Sequence, residues 1–394
     1  MRTFQLVYIL IFIGFYFFVD LGTYFNVRRL FQNKNSSIFK IGYWGYSILI
    51  ILTFIFLYIY PNQPREAKNY LTYFYFNSLL FTDLAVKIIL GLFFLFSFFT
   101  RQKRIISFTS IILATGLGAV MLYGLLFGKN EIKTTQQELT FKNLPPAFEN
   151  FKIVHISDIH LGSLRKSNKL LHRVEQKITG IHPDLILFTG DLVNNFSYET
   201  EGWAGVFSKM NSEGKSYSIL GNHDYGDYTT WKTENRKENN FKEIVQSNSA
   251  LGFNLLRNAN RVIRKGMDSI FIVGVENWGL PPFPQYANLE KAEKGIPENA
   301  FKILMTHDPA HWETVVKEKG NYQLTLSGHT HGMQWGLKMA GIPFSLAWLT
   351  RNTWGGLYQN ENTFLYVNTG LGTVGIPWRI DMPAEITVFT LKGG

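Results

Sequence analysis

Four long apolar runs dominate the first third of this chain and set it apart from the rest. Most of them are close to the ~20 residues that a helix needs to cross a bilayer. The first run follows Arg2, so it could be the apolar core of a signal peptide. Bulky residues come after it instead of a cleavage site of small residues, so we interpret it as a membrane span. The pattern therefore predicts a transmembrane anchor over residues 1–127, with helices at 4–19, 41–60, 79–99 and 105–127.

Basic residues are spread unevenly over the loops between these spans. The first loop carries four and the third carries three, whereas the second carries two. Because cytoplasmic loops retain Lys and Arg preferentially, we predict a multi-pass cell-membrane protein in which everything after about residue 128 lies outside the cytoplasm. The basic residues of the first loop are Arg28, Arg29, Lys34 and Lys40, and those of the second are Arg65 and Lys68.

Asp83 and Lys87 interrupt the third span at i,i+4 spacing, so on a helix they share a face and are able to pair. Charged residues inside a membrane often mark ion or proton pathways, which is one interpretation. The interpretation that we favour is a paired couple near the start of the helix. We assign this third of the chain to anchoring.

The pattern changes after residue 127. A short polar segment, 128–134, is predicted to be a linker, and over residues 135–394 strand-like apolar runs alternate with helical ones, which is typical of an α/β or α+β domain. Five strand-like runs end abruptly in polar residues. Because side chains that follow the carboxyl ends of neighbouring strands converge on one crevice, we expect a single site. The residues, in order of the five runs, are Asp158 and His160; Asp191; Asn222, His223 and Asp224; His307; and His329 and His331.

The composition narrows the chemistry of this site. The chain has no cysteine, so any metal must be held by nitrogen and oxygen ligands. The formal charge of +10 permits contact with nucleic acid or an anionic membrane. A solvated basic surface is the interpretation that we prefer, so nucleic acid is not an expected partner. The sequence indicates no protein partner.

Histidines and carboxylates in this arrangement predict a centre of two divalent ions. Two ions roughly 3.5–4 Å apart need a shared oxygen donor, for which Asp191 is the candidate. Asp158 and His160, two residues apart on an extended segment, point to the same side and suit one ion. His329 and His331 have the same spacing, but in a loop they are able to serve different ions. The mixed donor set favours Mn, Fe or Zn over Mg or Ca.

These residues form five motifs in order along the chain: Asp158-x-His160, Gly190-Asp191, Gly221-Asn222-His223-Asp224, His307 and Gly328-His329-x-His331. A single motif of this kind arises often by chance, but the ordered set is highly specific. It resembles the signature of the calcineurin-like metallophosphoesterases, in particular a bacterial membrane-anchored branch. The resemblance implies a four-layer sandwich of two mixed β-sheets flanked by helices.

The resemblance also implies a role for each residue. His223 lies against the substrate phosphate and protonates the leaving oxygen, Asp224 orients the ring of His223, and a water that bridges the ions is the nucleophile. Arg379, in a closing segment like that of the bacterial branch, either contacts the phosphate or pairs with Asp381 or Glu385. The first metal is held by Asp158, His160, Asp191 and His331, and the second by Asp191, Asn222, His307 and His329.

The sequence therefore predicts a membrane-anchored, metal-dependent hydrolase of a phosphodiester, pyrophosphate or phosphomonoester. The membrane tether suggests a lipid-linked or envelope substrate. One alternative is a UDP-2,3-diacylglucosamine pyrophosphatase of lipid A synthesis, as some related bacterial enzymes are, although a cytoplasmic nucleotide substrate conflicts with the predicted topology. A second alternative is a non-catalytic metal-dependent binding or regulatory module. That class predicts a broken ligand set, and the set in this chain is intact.

Overall fold

The computed structural model describes residues 2–30, 36–59, 70–164, 169–211, 215–281, 283–339 and 342–394. The chain divides into two compact units, Met1–Leu126 and Phe127–Gly394. The predicted loop residues Lys34, Arg65 and Lys68 lie outside the described residues.

The first unit consists of four long apolar helices, each able to cross a membrane by length and composition. The sequence predicts that the first helix ends at residue 19, just before Asp20. In the structure this helix continues to Arg28. Asp20 is fully buried, and its carboxylate lies 2.9 Å from Lys87 Nζ, so the helix carries this charge inward rather than ending before it. Asp83 also pairs with Lys87, at 3.2 Å. The helices are α1 (Arg2–Arg28), α2 (Ser36–Ile59), α3 (Tyr70–Phe96) and α4 (Lys103–Leu126).

Short helices and strands alternate through the second unit. The helices are α5 (Leu170–Ile181), α6 (Ala204–Met210), α7 (Glu234–Ala250), α8 (Leu289–Glu293) and α9 (Lys317–Lys319), the last preceded by a π-helical turn, Trp312–Val316. The strands are β1 (Ile132–Phe141), β2 (Lys152–Ile156), β3 (Leu185–Phe188), β4 (Ser216–Ser218), β5 (Asn254–Leu255), β6 (Ala259–Lys265), β7 (Asp268–Gly274), β8 (Lys302–Met305), β9 (Leu324–Ser327), β10 (Gly336–Met339), β11 (Ile342–Ser345), β12 (Gly356–Asn360), β13 (Thr363–Val367) and β14 (Ala384–Gly393).

Two six-stranded sheets form the centre of this unit. The first has the order β1-β14-β2-β3-β4-β5 and the second β12-β13-β9-β8-β7-β6, while β10 and β11 form a separate hairpin. β2 to β5 run parallel, as do β7, β8, β9 and β13, and antiparallel pairs join β14 to β2, β6 to β7 and β12 to β13. Both sheets are therefore mixed, as the family resemblance implied.

Burial explains why these short runs form central strands. Every residue of β3, β8 and β9 is buried, which is typical of parallel strands covered on both faces. Ile153 and Leu187 of the first sheet share one apolar core with Ile303 and Leu326 of the second. A second core joins the first sheet to α5, α6 and α7, and a third joins the second sheet to α8 and the π-helical turn. The predicted sandwich of two sheets flanked by helices is confirmed.

The start of this unit differs from the predicted boundaries. β1 begins at Ile132, inside the segment 128–134 that the sequence pattern indicates as a linker. Ile132 pairs with Ala384 and the register continues to the end of β14, so the polar residues after Ile132 belong to an edge strand. Polar side chains are expected on such a strand, because among the described residues no strand pairs with its other edge.

Candidate metal centre

The predicted ligands all follow the carboxyl ends of five strands. β2, β3 and β4 are parallel neighbours in the first sheet, and β8 and β9 are parallel neighbours in the second. The segments after these strands meet at one end of the sandwich, as expected for strands that run the same way. The second unit alone therefore contains every predicted metal ligand, and the structure brings their side chains together.

Four side chains form a first donor set. His160 Nε2 lies 3.0 Å from His331 Nε2, and His331 Nε2 lies 3.2 Å from Asp158 Oδ1. Asp191 Oδ2 lies 3.5 Å from His160 Nε2. All four residues are buried, so lone pairs of nitrogen and oxygen converge on a small space with little access to water.

A second donor set shares one atom with the first. Asp191 Oδ2 also lies 3.2 Å from His307 Nε2. His307 Nε2 is 3.0 Å from Asn222 Oδ1, which is 2.8 Å from His329 Nδ1. Asn222 and His329 are only half-buried, so this set lies closer to solvent. The division into two sets that share Asp191 is the one that the family resemblance implied, and it stays a prediction. Among the described residues, the groups whose possible ligand atoms all lie within 4.8 Å of one another are Asp158, His160 and His331, and Asp158, Asp191 and His307.

The backbone around these ligands adopts an unusual conformation. Residues other than glycine rarely have positive φ, and holding one there costs about 1–3 kcal/mol, so such residues cluster at functional sites. Five of the predicted ligands have positive φ: Asp158 (51°), His160 (46°), Asp191 (60°), His329 (69°) and His331 (51°).

Glycines allow two other segments to pass close to Asp158. A Cβ on Gly328 would overlap the side chains of Ser157 and Asp158. A Cβ on Gly370, where φ is +79°, would lie 2.7 Å from Asp158 Cβ. Gly372 N also donates to Asp158 O at 2.7 Å. The closing segment of the domain is therefore packed directly on the first ligand loop.

Groups behind the ligands fix the orientation of two imidazoles. His307 Nδ1 lies 2.7 Å from the carbonyl oxygen of Thr189. His329 Nε2 lies 3.5 Å from Asp308 Oδ2 and 3.1 Å from Arg351 Nη2. Arg351 in turn pairs with Asp308 at 2.6 Å. The carbonyl of Thr189 accepts from His307 Nδ1, which orients that ring and sets its tautomer, as is typical of metal-binding histidines. The guanidinium of Arg351 only donates, so His329 Nε2 is the acceptor in their contact.

His223 lies beside both donor sets, and its surroundings differ from the prediction. Its Nδ1 is 2.8 Å from the carbonyl oxygen of Asn194, and its ring stacks on Tyr228 with centroids 4.2 Å apart. Tyr228 OH also accepts a hydrogen bond from Asn222 Nδ2 at 2.7 Å, which directs Asn222 Oδ1 towards the second donor set. Tyr228 therefore contacts the predicted acid and a predicted metal ligand at once.

The structure corrects the role predicted for Asp224. Its carboxylate is fully buried and accepts backbone N–H groups of Gly221, Asp191, Leu192 and Val193. It therefore holds the loop of Asp191 against the turn that carries His223, and the carbonyl of Asn194 is the group that orients the His223 ring. Burial and the negative charge of Asp191 raise the pKa of Asp224 to about 7.

Arg379 is also placed differently from either prediction. Its guanidinium is fully buried, and its donors go to backbone carbonyl oxygens rather than to an open cleft. Nη2 lies 3.5 Å from His331 Nδ1, so the side chain supports a predicted ligand from behind. A group enclosed in this way positions the closing segment and does not face a substrate phosphate. The acceptors are the carbonyl oxygens of Thr369, Gly370, Gly372, Met382 and Pro383.

The charges of the site favour a cation. Burial raises the pKa of Asp191, but His307 and His223 outweigh this effect and hold it well below its usual range. Burial lowers the pKa of His307, yet the Asp191 carboxylate outweighs burial and raises it to about 10. Burial lowers the pKa of His160 well below its usual value and that of His329 to about 4. Ionised carboxylates and neutral imidazoles are the ligand forms that bind metals, so a metal ion would take the place of the proton that the Asp191 carboxylate favours on His307.

The donor set therefore fits two divalent ions. Imidazole nitrogens, carboxylates and one amide oxygen suit Mn, Fe or Zn. Sequence reasoning missed two residues of the site, Tyr228 and Arg351. Neither belongs to one of the five motifs: Tyr228 follows Asn222 by six residues and reaches it locally, whereas Arg351 contacts His329 from 22 residues further along the chain.

Comparisons with known proteins identify the family of the chain. The family model of calcineurin-like phosphoesterases matches residues 151–333. The uncharacterized metallophosphoesterase YkuE of Bacillus subtilis is 33% identical over 269 residues, which cover 66% of this chain and 86% of YkuE. An uncharacterized metallophosphoesterase of Campylobacter jejuni is 28% identical over 381 residues, covering 91% of this chain and 92% of the relative.

A zebrafish (Danio rerio) protein described as a transmembrane protein with metallophosphoesterase domain is also similar. It is 30% identical over 297 residues, which cover 73% of this chain but only 63% of the zebrafish protein. Sequence, fold and ligand geometry lead to the same assignment. The chain belongs to the calcineurin-like metallophosphoesterase family of metal-dependent phosphoester hydrolases, which use a dinuclear divalent metal centre.

Proposed function

We propose that this chain is a membrane-anchored hydrolase of a phosphodiester, pyrophosphate or phosphomonoester, and that its substrate is lipid-linked or part of the cell envelope. One observation carries the proposed chemistry. Asp191 Oδ2 lies 3.5 Å from His160 Nε2 and 3.2 Å from His307 Nε2, so a single carboxylate oxygen belongs to both donor sets. Two ions that share a bridging ligand are the arrangement used for in-line displacement at phosphorus.

The first donor set is the proposed site of one ion and the second that of the other. When bound, two divalent ions neutralise charge on the phosphate and lower the pKa of a coordinated water. The protein side chains determine where the two ions would bind. Asp191 sets the separation of the two sets, and the partly exposed Asn222 and His329 form the side that a substrate approaches.

His223 is the proposed proton donor to the leaving oxygen. Its Nδ1 faces the carbonyl oxygen of Asn194, and since a carbonyl only accepts, Nδ1 carries a hydrogen. Nε2 is then the atom that transfers a proton to the substrate. Burial lowers the pKa of His223, and the negative charge of a bound phosphate raises it again, which brings it towards the neutral range in the complex.

Exposed apolar side chains near the site support a lipid-linked substrate. Trp348 and Leu349 are 63% and 69% exposed, and Leu346 beside them is also exposed. They lie two to five residues before Arg351, whose Nη2 is 3.1 Å from His329 Nε2. A group of exposed apolar residues next to a polar site is typical of binding to an apolar partner. The four candidate spans in the same chain support a substrate found at a membrane.

We also propose that the second unit lies outside the cytoplasm, on the basis of the basic residues in the first and third loops. Protease treatment of intact cells with a permeabilised outer layer, compared with everted inner-membrane vesicles, tests this. Cleavage within residues 135–394 in the permeabilised cells is expected. Protection there, with cleavage in everted vesicles, would place the domain in the cytoplasm.

The catalytic proposal is tested with the full chain purified in lipid vesicles, stripped with a chelator and reloaded with Mn, Fe or Zn. Hydrolysis of bis-p-nitrophenyl phosphate is expected to return with metal in the wild type and to stay absent in Asp191→Asn. His172→Ala is the matched control, because His172 is exposed on α5, and it should keep wild-type turnover. Full activity of Asp191→Asn would refute the assigned centre.

A second measurement separates chemistry from substrate class. Phospholipid esters and isoprenoid pyrophosphates in vesicles are compared with water-soluble esters of the same reactive group. A lipid-linked substrate predicts higher kcat/KM for the vesicle substrates, and Trp348→Ser should lower that value while leaving turnover of the soluble ester unchanged. Equal kcat/KM for both classes would contradict the lipid proposal without affecting the metal centre.

A further inference from the structure

Large apolar side chains stand exposed along a stretch of the second unit that begins just after the predicted ligand His331. Among the described residues of this unit, no other stretch of the same length has as many. Single exposed apolar residues are ordinary, whereas a group of them indicates a binding surface. We call this group the apolar face. Its members are Met333 (47% exposed), Leu337 (48%), Leu346 (38%), Trp348 (63%) and Leu349 (69%).

Two polar residues of the same stretch point inward. Gln334 is buried, and its Oε1 accepts a hydrogen bond from Val374 N at 2.7 Å while its Nε2 donates to Ile376 O at 2.8 Å. Ser345 is fully buried, and its Oγ accepts a hydrogen bond from Ala347 N at 3.1 Å. A segment that faces water has its polar side chains outside and its apolar ones inside. The reversed arrangement in this stretch indicates that its outer side contacts an apolar partner.

The backbone conformation maintains this arrangement. Met333 and Gln334 both have positive φ (51° and 59°), directly after Gly332 at 53°. Residues other than glycine rarely adopt this conformation, and such strain is concentrated at functional sites. The turn leaves Met333 exposed and Gln334 buried, so the side chain on the outside is the apolar one.

Cross-strand and ring contacts connect members of the apolar face. β10 and β11 form a hairpin outside both six-stranded sheets, and in this hairpin Leu337 pairs with Phe344. Directly opposite residues of a hairpin share one face, so these two side chains are neighbours. The rings of Phe344 and Trp348 have centroids 6.3 Å apart. The small core of this region consists of Ala347, Trp354 and Met382, so internal packing does not account for the apolar face.

We propose that the apolar face docks on a lipid bilayer, with its side chains in the boundary between the headgroups and the acyl chains. Apolar side chains bind at this depth through the area that they bury, and tryptophan is enriched there. Lys338 is the only charged residue in 333–349, so the stretch brings little charge to the bilayer. The inference goes beyond the proposed function, because docking does not depend on which phosphoester the site hydrolyses.

Lipid is the occupant that the chain itself indicates. Four helices able to cross a membrane precede the second unit, and residues 127–131 are the whole connection between α4 and β1. A connection this short keeps the second unit close to the bilayer that the helices cross, so lipid is present at a high effective concentration. Docking then needs little affinity of its own, and a few apolar side chains are sufficient.

Docking holds the metal centre at the bilayer surface, because both ends of the stretch are close to predicted ligands. Met333 follows His331 by two residues, and Leu349 precedes Arg351 by two. Arg351 Nη2 lies 3.1 Å from His329 Nε2, on the partly exposed side of the second donor set. This side of the site is then next to the lipid headgroups.

The proposal is tested with fluorescent probes on single cysteines, which are specific because the chain has no cysteine of its own. Leu337→Cys and Leu349→Cys are each labelled with an NBD fluorophore, and the full chain is reconstituted in vesicles of equal parts phosphatidylcholine and phosphatidylglycerol. Both probes should emit at a shorter wavelength than in water, and they should lose most of their intensity when nitroxide-bearing phospholipids are included. No phosphoester substrate is added, so the result does not depend on the proposed hydrolysis.

Met267→Cys is the matched control. Met267 is apolar and fully exposed, but it precedes β7, at the end of the second sheet opposite to the metal centre. Its probe should emit as in water and should not be quenched. Leu346→Glu combined with Trp348→Glu should greatly reduce quenching of the Leu337→Cys probe, whereas Met267→Glu should leave it unchanged. The replaced side chains are all exposed, and size-exclusion profiles show whether each variant is assembled.

Three results would overturn the proposal. Emission of the Leu337→Cys and Leu349→Cys probes as in water would show that the apolar face is not docked. A shift to shorter wavelength without quenching by nitroxide lipids would show that protein, either the first unit or a second copy, covers the face. Equal quenching of the Met267→Cys probe would show that the tether alone brings the whole unit to the lipid.

Discussion

Replacement of Arg379 by Met tests whether this side chain supports the fold or binds substrate. The guanidinium is fully buried and donates to five backbone carbonyl oxygens. Arg379→Met leaves these acceptors buried without the donor. Removing one partner of a buried charged network costs about 3–5 kcal/mol. Because a domain of this size loses roughly 2–4 °C of Tm per kcal/mol, we expect Tm to fall by about 10 °C.

The same change should weaken the metal centre. Arg379 Nη2 lies 3.5 Å from His331 Nδ1 and 2.9 Å from Gly370 O, and Gly370 packs against Asp158. Without the guanidinium this segment loses its fixed position behind the first donor set. We therefore expect a higher metal concentration for half-maximal activity and a lower kcat, with little change in KM once metal is saturating.

The assays are thermal unfolding of the metal-free full chain, followed by tryptophan fluorescence, and metal-dependent hydrolysis of bis-p-nitrophenyl phosphate. Arg261→Met is the matched control, since Arg261 is exposed on β6, and it should change stability by no more than about 0.5 kcal/mol. A wild-type Tm for Arg379→Met combined with a large rise in KM would refute the supporting role and restore the predicted phosphate contact.

Three further predictions concern the metal centre. Tyr228→Phe removes the acceptor for Asn222 Nδ2, a loss of about 1 kcal/mol, so the metal concentration for half-maximal activity should rise roughly fivefold while Tm stays near that of the wild type. In chelator-treated protein, the raised pKa of His307 adds to the free energy of unfolding; this contribution is complete below pH 6.5 and is lost as pH rises through about 10. Denaturant titrations at a series of pH values should show the free energy of unfolding fall over this range. The fall should be absent in Asp191→Asn, which lacks the carboxylate that raises the pKa. Arg351→Met should raise KM for phosphoesters and lower metal affinity, because its guanidinium lies at the exposed edge of the second donor set; unchanged kinetics would exclude it from the site.

Much of the fold followed from local pattern. The buried strands were predictable because parallel central strands are apolar on both faces, as in 185–188 and 302–305. The convergence of the candidate ligands was predictable because each follows such a strand, and the topology brings these strand ends together; that they bind metal stays a prediction. Boundaries were less accurate where a distant partner decides them. β1 extends into the predicted linker because β14 pairs with it, although 250 residues separate Thr135 from Glu385.

The sequence by itself determined the class of the protein: the four apolar helices, the alternating sandwich and the ordered ligand motifs. Only the tertiary structure decided what several charged residues do. Asp20 is a helix-ending residue by local pattern, yet Lys87 from another helix stabilises it inside the bundle. Arg379 has a phosphate-binding group, yet packing encloses it among carbonyl oxygens. Local pattern encodes which face of an element is apolar, whereas the partner of a charge depends on which distant segments the fold brings within 3 to 4 Å.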